Sequence, residues 1–194
     1  MTLFYGHQPR IVYDNSLSLE HPYKIKNSEI SQAFYGELKN YDNYFIIESA
    51  DNFKLYLQIL KPDFEKNSFI IEIYKNGQLI KIMDSNNFEW NLFYEEYGGD
   101  TYYRGPEFEQ MVQKGTYLIR VYSPTGWGKY SLAVGKLEKF DVKESINALI
   151  TLPKLKLQYW NKSLLSIFEG KIGKFYLVFL ILLFFVIGYF VLRK

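Results

Sequence analysis

Polar and apolar residues alternate with a period of two through most of positions 30–135, switch to a helical period after that, and end in an unbroken apolar run. Residues 30–38 (ISQAFYGEL) and 44–48 (YFIIE) read as strands around the polar turn Lys39-Asn40-Tyr41-Asp42-Asn43. Phe53, Leu55, Leu57 and Ile59 alternate with Lys54, Tyr56 and Gln58, which predicts a strand buried on one face and stopped by Lys61-Pro62-Asp63. Phe69, Ile71 and Ile73 repeat the pattern. Asn76-Gly77 then supplies the positive φ angles of a tight hairpin, with its partner strand at 79–83. Phe88, Trp90, Leu92 and Tyr94 form the next alternating set. Residues 95–115 break the rhythm and read as a loop of unusual length for a compact domain. A last hairpin pairs Tyr117, Ile119 and Val121 with Tyr130, Leu132 and Val134. Short strands with turn signals between them, and no helical period, predict a mainly β fold: an antiparallel sandwich of about eight strands in two sheets.

Beyond Gly135 the period changes. Asp141 followed by Glu144 predicts an N-cap with its reciprocal partner, and Val142, Ile146, Leu149 and Ile150 share one face of a helix expected to end before Pro153. Trp160, Leu164, Ile167 and Phe168 share a face amid Lys154, Lys156 and Lys162. That face either lies at the lipid headgroup level or packs on the sandwich. Residues 175–192 (FYLVFLILLFFVIGYFVL) carry no charge and rise about 27 Å as a helix, close to the ~30 Å of a bilayer's hydrocarbon. Lys171 and Lys174 precede this run and Arg193 and Lys194 close it, while Tyr176 and Tyr189 sit where amphipathic rings favour the interface. The chain therefore divides into an irregular lead-in or signal-peptide remnant (1–25), a sandwich (26–138), a juxtamembrane helical linker (139–174) and a single transmembrane helix (175–192).

Composition narrows the reading. Lysine and arginine number 23 against 21 acids and are spread along the chain, so the footprint of a nucleic-acid partner is missing. The absence of cysteine excludes disulfides, thiolate metal sites and a thiol nucleophile. The start MTLFYGHQPRIV lacks the features of a secretory signal, yet Met1-Thr2-Leu3-Phe4-Tyr5-Gly6 has the character of the tail of one. The first reading leaves the head in the cytoplasm; the second puts it outside.

The stretch 115–135, GTYLIRVYSPTGWGKYSLAVG, resembles the closing hairpin of the bacterial and archaeal pre-peptidase C-terminal (PPC) domains, which end in a Gly-Thr-Tyr strand, a Gly-containing turn and a Tyr-x-Leu strand. Ala33-Phe34-Tyr35-Gly36-Glu37-Leu38 followed by Tyr41-Asp42-Asn43-Tyr44-Phe45 is similar to that family's opening. The resemblance implies a secreted or surface jelly-roll-like module without its own catalysis. The chain departs from the family in its acidic-aromatic segment 95–115 and its apolar end.

Candidate chemistry is sparse. His7 and His21 lie away from any Gly-flanked serine, so neither a Ser-His-Asp triad nor a multi-histidine zinc site is assembled. Glycines 98, 99 and 105 lack the strand-to-helix context of a phosphate loop, so no nucleotide is assigned. Gly188 stands alone in the span, without a GxxxG dimer face, and Asn161-Lys162-Ser163 fits a glycosylation sequon. Glu95, Glu96 and Asp100 around Gly98-Gly99 are the candidate calcium ligands, since calcium takes six to eight oxygens from irregular loops. Tyr97, Tyr102, Tyr103 and Trp127 are the candidate platform for a sugar; otherwise these rings cover the open end of the sandwich. The functional expectation is a single-pass, membrane-anchored, extracytoplasmic β-sandwich acting as a non-catalytic binding or accessory module. Its partners would be the lipid bilayer and a protein or glycan. The alternatives are a structural subunit of a larger membrane assembly and, third, a glycan-active enzyme using carboxylates of segment 95–115.

Overall fold

The computed structural model describes residues 7–13 and 17–192; the expected remnant Met1 to Gly6 and the closing Arg193 and Lys194 lie outside the described residues. Eleven strands form in chain order: β1 (Gln8–Ile11), β2 (Tyr23–Lys24), β3 (Gln32–Lys39), β4 (Asn43–Ser49), β5 (Phe53–Pro62), β6 (Ile70–Lys75), β7 (Gln78–Asp84), β8 (Asn91–Glu95), β9 (Asp100–Val112), β10 (Gly115–Tyr122) and β11 (Trp127–Val134). They build a six-stranded sheet, β1-β3-β11-β5-β9-β8, and a five-stranded sheet, β2-β4-β10-β6-β7. The pairings are antiparallel except β1 with β3 and β2 with β4. All eight expected strands form, but the one expected over Phe88 to Tyr94 begins only at Asn91, leaving Phe88 and Trp90 outside it. At the β6–β7 hairpin Asn76 and Gly77 take φ of 48° and 82°, as the turn requires.

Two expectations are corrected. Most of the supposed long loop is β9, which pairs with β5 along one edge and β8 along the other, leaving only a tight turn at 96–99. Gly105-Pro106 imitates a loop in sequence; in space Gly105 makes room for Trp90 and Ile59, whose atoms lie 2.7 Å and 2.8 Å from where a Cβ would sit. The register of β5 against β9 shifts beside it, between Gln58 and Leu60. The lead-in, read as irregular, contributes β1 and β2 to the two sheets.

The inner faces of the two sheets meet in an apolar core that includes Phe34, Phe45, Leu55, Leu57, Ile73, Ile119 and Leu132, none more than 1% exposed. The outer face of the six-stranded sheet is covered as well. Helix α1 (Val142–Lys154), a π-helical turn (Leu155–Tyr159), a 3-10 turn (Leu164–Phe168) and the long helix α2 (Gly170–Leu192) follow the last strand. Leu152, Leu155, Tyr159, Trp160 and Ile172 from this layer pack with Tyr35, Tyr56, Leu60 and Tyr102 of the sheet. Strand β5 is therefore buried on both faces, not one, and continues through Lys61-Pro62.

Helix α1 starts where expected: the Asp141 side chain accepts the Glu144 N–H at 2.8 Å. The Glu144 carboxylate does not fold back, because Arg10 of β1 takes both of its oxygens at 2.8 and 2.9 Å. The buried face carries Ala148, Thr151 and Leu152; of the expected stripe Leu149 packs partly against the outer layer, while Val142, Ile146 and Ile150 point outward, Val142 at 77% exposure. Pro153 does not stop the helix. Lacking an N–H, it leaves the Leu149 carbonyl without its usual donor, and the Tyr176 hydroxyl of α2 donates to that oxygen instead. The segment read as either interfacial or packed divides: Trp160 is buried, and Leu164, Leu165 and Phe168 are exposed.

Candidate functional site

The turn joining β8 to β9 is held from within. Glu95 accepts the N–H of Tyr97 at 2.8 Å and of Gly98 at 2.6 Å, and the Gly99 N–H bonds the Glu95 carbonyl at 2.9 Å. Gly99 takes φ of +76°, a region a residue with a Cβ rarely adopts. This turn then supplies what the start of α2 needs. The first N–H groups of any helix have no partner inside it. Here the Lys171 N–H bonds the Glu96 carbonyl at 2.9 Å and the Ile172 N–H bonds the Tyr97 carbonyl at 3.0 Å. The approach is so close that a Cβ on Gly99 would lie 2.5 Å from the Gly170 nitrogen, and one on Gly170 equally close to the Gly99 nitrogen.

Charge reinforces this latch. Asp100 begins β9 and is 3% exposed; its Oδ1 accepts from Lys156 Nζ at 3.1 Å and from Lys162 Nζ at 2.7 Å. Lys156, only 1% exposed, also reaches Glu169 at 3.4 Å, just before α2. Burial by itself would lower the Lys162 ammonium, but the hydrogen bond and charge of Asp100 hold it above its ordinary value. Burial pushes the Glu95 carboxyl up, opposed by its two backbone donors; the Asp100 charge adds to the rise and Lys156 works against it. The start of β9 and the segment 156–169, more than 50 residues further along the chain, are tied into one ionic cluster.

The candidate residues separate accordingly. Glu95 and Asp100 converge, since a Cβ on Gly98 would lie 3.0 Å and 3.3 Å from their carboxylate oxygens. Glu96 turns away and pairs with Lys171 in solvent. Two ammonium groups already occupy Asp100, and among the described residues no cluster of three or more carboxylates or imidazoles is placed to hold a metal. The trio does not form a calcium cage. Tyr97 and Tyr102 line a common cavity, whereas Tyr103 lies next along β9, where alternation turns it to the opposite face. Trp127 starts β11 opposite Lys39, 54% exposed and outside this cavity. The four rings do not form one platform. The residues that the sequence did not mark are Lys156, Lys162, Glu169 and Tyr159; the Tyr159 hydroxyl donates to the Tyr130 carbonyl at 2.7 Å across the outer face of the sheet. Gly98-Gly99 and Gly170 were the available signals of a close backbone approach.

The cavity, about 230 Å³, opens between the outer face of the six-stranded sheet and α1. Its floor is small because Ala33 and Ala133 face each other in register on β3 and β11. Tyr35 and Tyr102 form one wall, their hydroxyls 3.1 Å apart, and burial pushes both far above the ordinary phenol range, so both stay neutral. Leu60, Phe93, Tyr97 and Leu152 supply further apolar wall.

Of the anchor residues, Lys174 is exposed, Tyr176 bonds α1 as above, and Tyr189 stacks edgewise on Phe190 at 5.6 Å. Among the described residues one helical segment, Gly170–Phe190, is long and apolar enough to cross a membrane: 21 residues rise about 31 Å, and only 11% of its most apolar window is covered by the rest of the protein.

Among solved structures, the chain is similar to the pre-peptidase C-terminal domain of collagenase from Bacillus anthracis, with 11% identity, a TM-score of 0.36, and coverage of 66% of this chain and 96% of that one. It is also similar to the Yersinia pseudotuberculosis-derived mitogen, with 14% identity, a TM-score of 0.34, and coverage of 58% of this chain and 91% of that one. No protein-family model and no curated protein sequence matches. Likenesses this distant carry no functional argument; the two-sheet sandwich rests on the strand pairing itself.

Proposed function

We propose that this chain is a single-pass membrane protein whose β-sandwich head stands outside the cytoplasm and serves as a non-catalytic binding or accessory module. The observation that carries the reading is the 21-residue apolar helix, most of whose length the rest of the protein leaves uncovered and whose first turn is seated by backbone hydrogen bonds on the turn between β8 and β9. Burying that much apolar surface in lipid is favourable at about 25 cal/mol per Å², whereas exposing it to water is not. The 3-10 turn adds support. Leu164, Leu165 and Phe168 are exposed immediately before α2, so they meet the bilayer surface when the helix crosses. The latch makes α2 a rigid stalk, which fixes the attitude of the head to the membrane.

Two treatments test the reading. The full chain in native membranes should resist extraction by alkaline carbonate, and external protease on intact spheroplasts should digest the head. Release by carbonate defeats the anchor, and full protection from protease defeats the orientation. A second reading, a subunit of a membrane assembly, draws on the outward stripe Val142, Ile146 and Ile150, which leaves an apolar helix face without a partner. Extraction in mild detergent distinguishes the two: stoichiometric partners favour the subunit, and a lone chain counts against it.

A further inference from the structure

The cavity under α1 is built into the sheet. Three adjacent positions on its outer face are small, Ala33 and Ala133 opposite each other and Ser131 two residues along β11, while their neighbours Tyr35, Tyr56 and Leu60 are large. Leu152 of α1 roofs the gap. At about 230 Å³ it exceeds the roughly 150 Å³ in which a benzene ring fits and falls short of the roughly 300 Å³ where pockets for drug-sized molecules begin. A single ring or a branched aliphatic group matches this space, and the wall is mostly aromatic and aliphatic.

Its polar lining differs from that wall in carrying both signs of charge. Arg104 is exposed, its guanidinium carbon over the Phe93 ring at 3.4 Å from the ring centre. Glu138 is exposed too, and neither residue has an ion-pair partner among the described residues. Of the remaining charged or titratable groups, Glu95 spends both oxygens on the turn, and the His7 ring lies 2.7 Å from Ser31 Oγ. Among the described residues, one guanidinium, stacked on a ring but without a carboxylate partner, and one carboxylate without a cation thus flank an apolar pocket the size of a ring.

We propose that the cavity binds a small zwitterion with an apolar side chain, the chemistry of a free apolar α-amino acid. Its carboxylate meets Arg104, its ammonium meets Glu138, and its side chain lies over Ala33 and Ala133. A planar guanidinium suits a carboxylate because it presents paired N–H donors. The inference rests on the binding-module reading above, and is independent of which side of the membrane the head occupies. Tyr97 forms part of the wall and its carbonyl holds the Ile172 N–H, so an occupant would touch the same turn that seats α2.

The test uses the full chain in lipid nanodiscs and three probes that share a ring: L-phenylalanine, phenylacetate and 2-phenylethylamine. Calorimetric titration should give saturable binding of phenylalanine at least ten times tighter than of either partial probe. Arg104→Gln, at an exposed position, should erase the advantage over 2-phenylethylamine, and Glu138→Gln the advantage over phenylacetate. Ala133→Leu should fill the space and abolish binding of all three with an unchanged or raised melting temperature. If Ala133→Leu fails to fold, the two exposed variants still decide the matter. Equal binding of the three probes, or preference for one partial probe, overturns the zwitterion but leaves a binding module. No saturable binding of any probe overturns the cavity as an amino-acid site, while the membrane-anchored module stands or falls on the carbonate and protease treatments.

Discussion

Between the two sheets the core is aliphatic and aromatic, with the Asn43 amide on the buried Tyr130 hydroxyl as a neutral polar contact, whereas the layer between the six-stranded sheet and the helices also contains charge, a buried lysine and a buried aspartate, beside the hydroxyls of Tyr35, Tyr102 and Tyr159. The first layer is held by area removed from water, a force without direction. The second must fix one orientation of a helix against a sheet, which directional bonds and charges do. The contrast assigns stability to the inner core and the direction of α2 to the ionic cluster, a division that the variants below test.

The largest effect is expected in the inner core: Phe45→Ala, at a fully buried site, should cost about 4 kcal/mol in urea unfolding. Next, Asp100→Asn strands the buried Lys156 with only the more distant Glu169, and should cost about 3 kcal/mol. The double change Asp100→Leu with Lys156→Met should cost less than that single one, because buried ion pairs barely repay their desolvation. If the double costs more, the cluster is a source of stability and the comparison fails. Tyr176→Phe, which returns the Leu149 carbonyl to an unpaired state beside Pro153, should cost about 1 kcal/mol and loosen α1 from α2. The smallest effect concerns pH. Folding raises the Glu95 carboxyl above its ordinary 4.5, so between that value and the raised one the folded protein binds more protons than the unfolded chain, and stability falls as pH rises. Glu95→Gln should flatten that decline when urea unfolding at pH 4 and pH 7 is compared; an unchanged slope contradicts it.

The inner core was legible because period-two alternation is a local property, visible at Phe53, Leu55, Leu57 and Ile59 without knowledge of any partner. The outer layer was not. Asp100 and Lys156 are 56 positions apart, and nothing near either one announces the other. Strand β9 was hidden by Gly105-Pro106 and by Glu107 and Glu109, which read as solvated loop; in the fold Glu107 accepts from the Tyr56 hydroxyl and Glu109 pairs with Lys54 and Lys136. At the site, Glu95 and Asp100 of the calcium set and Tyr97 and Tyr102 of the sugar set do converge, whereas Glu96, Tyr103 and Trp127 share only sequence proximity or residue type with them, which strand alternation does not respect. The helical face of α1 was misread because a stripe of Val142, Ile146 and Ile150 looks like a core face, while the sheet below is served by the smaller Ala148 and Thr151 with Leu152.

A rigid seat for α2 on the head is most directly tested by amide hydrogen exchange of the full chain in nanodiscs, read at Lys171 and Ile172. Their N–H groups bond the Glu96 and Tyr97 carbonyls, so they should exchange as slowly as amides of the central strand β11, and Gly99→Ala should make both exchange fast while β11 stays protected. Rapid exchange at Lys171 and Ile172 in the unaltered protein would contradict the latch and leave α2 a loose tether.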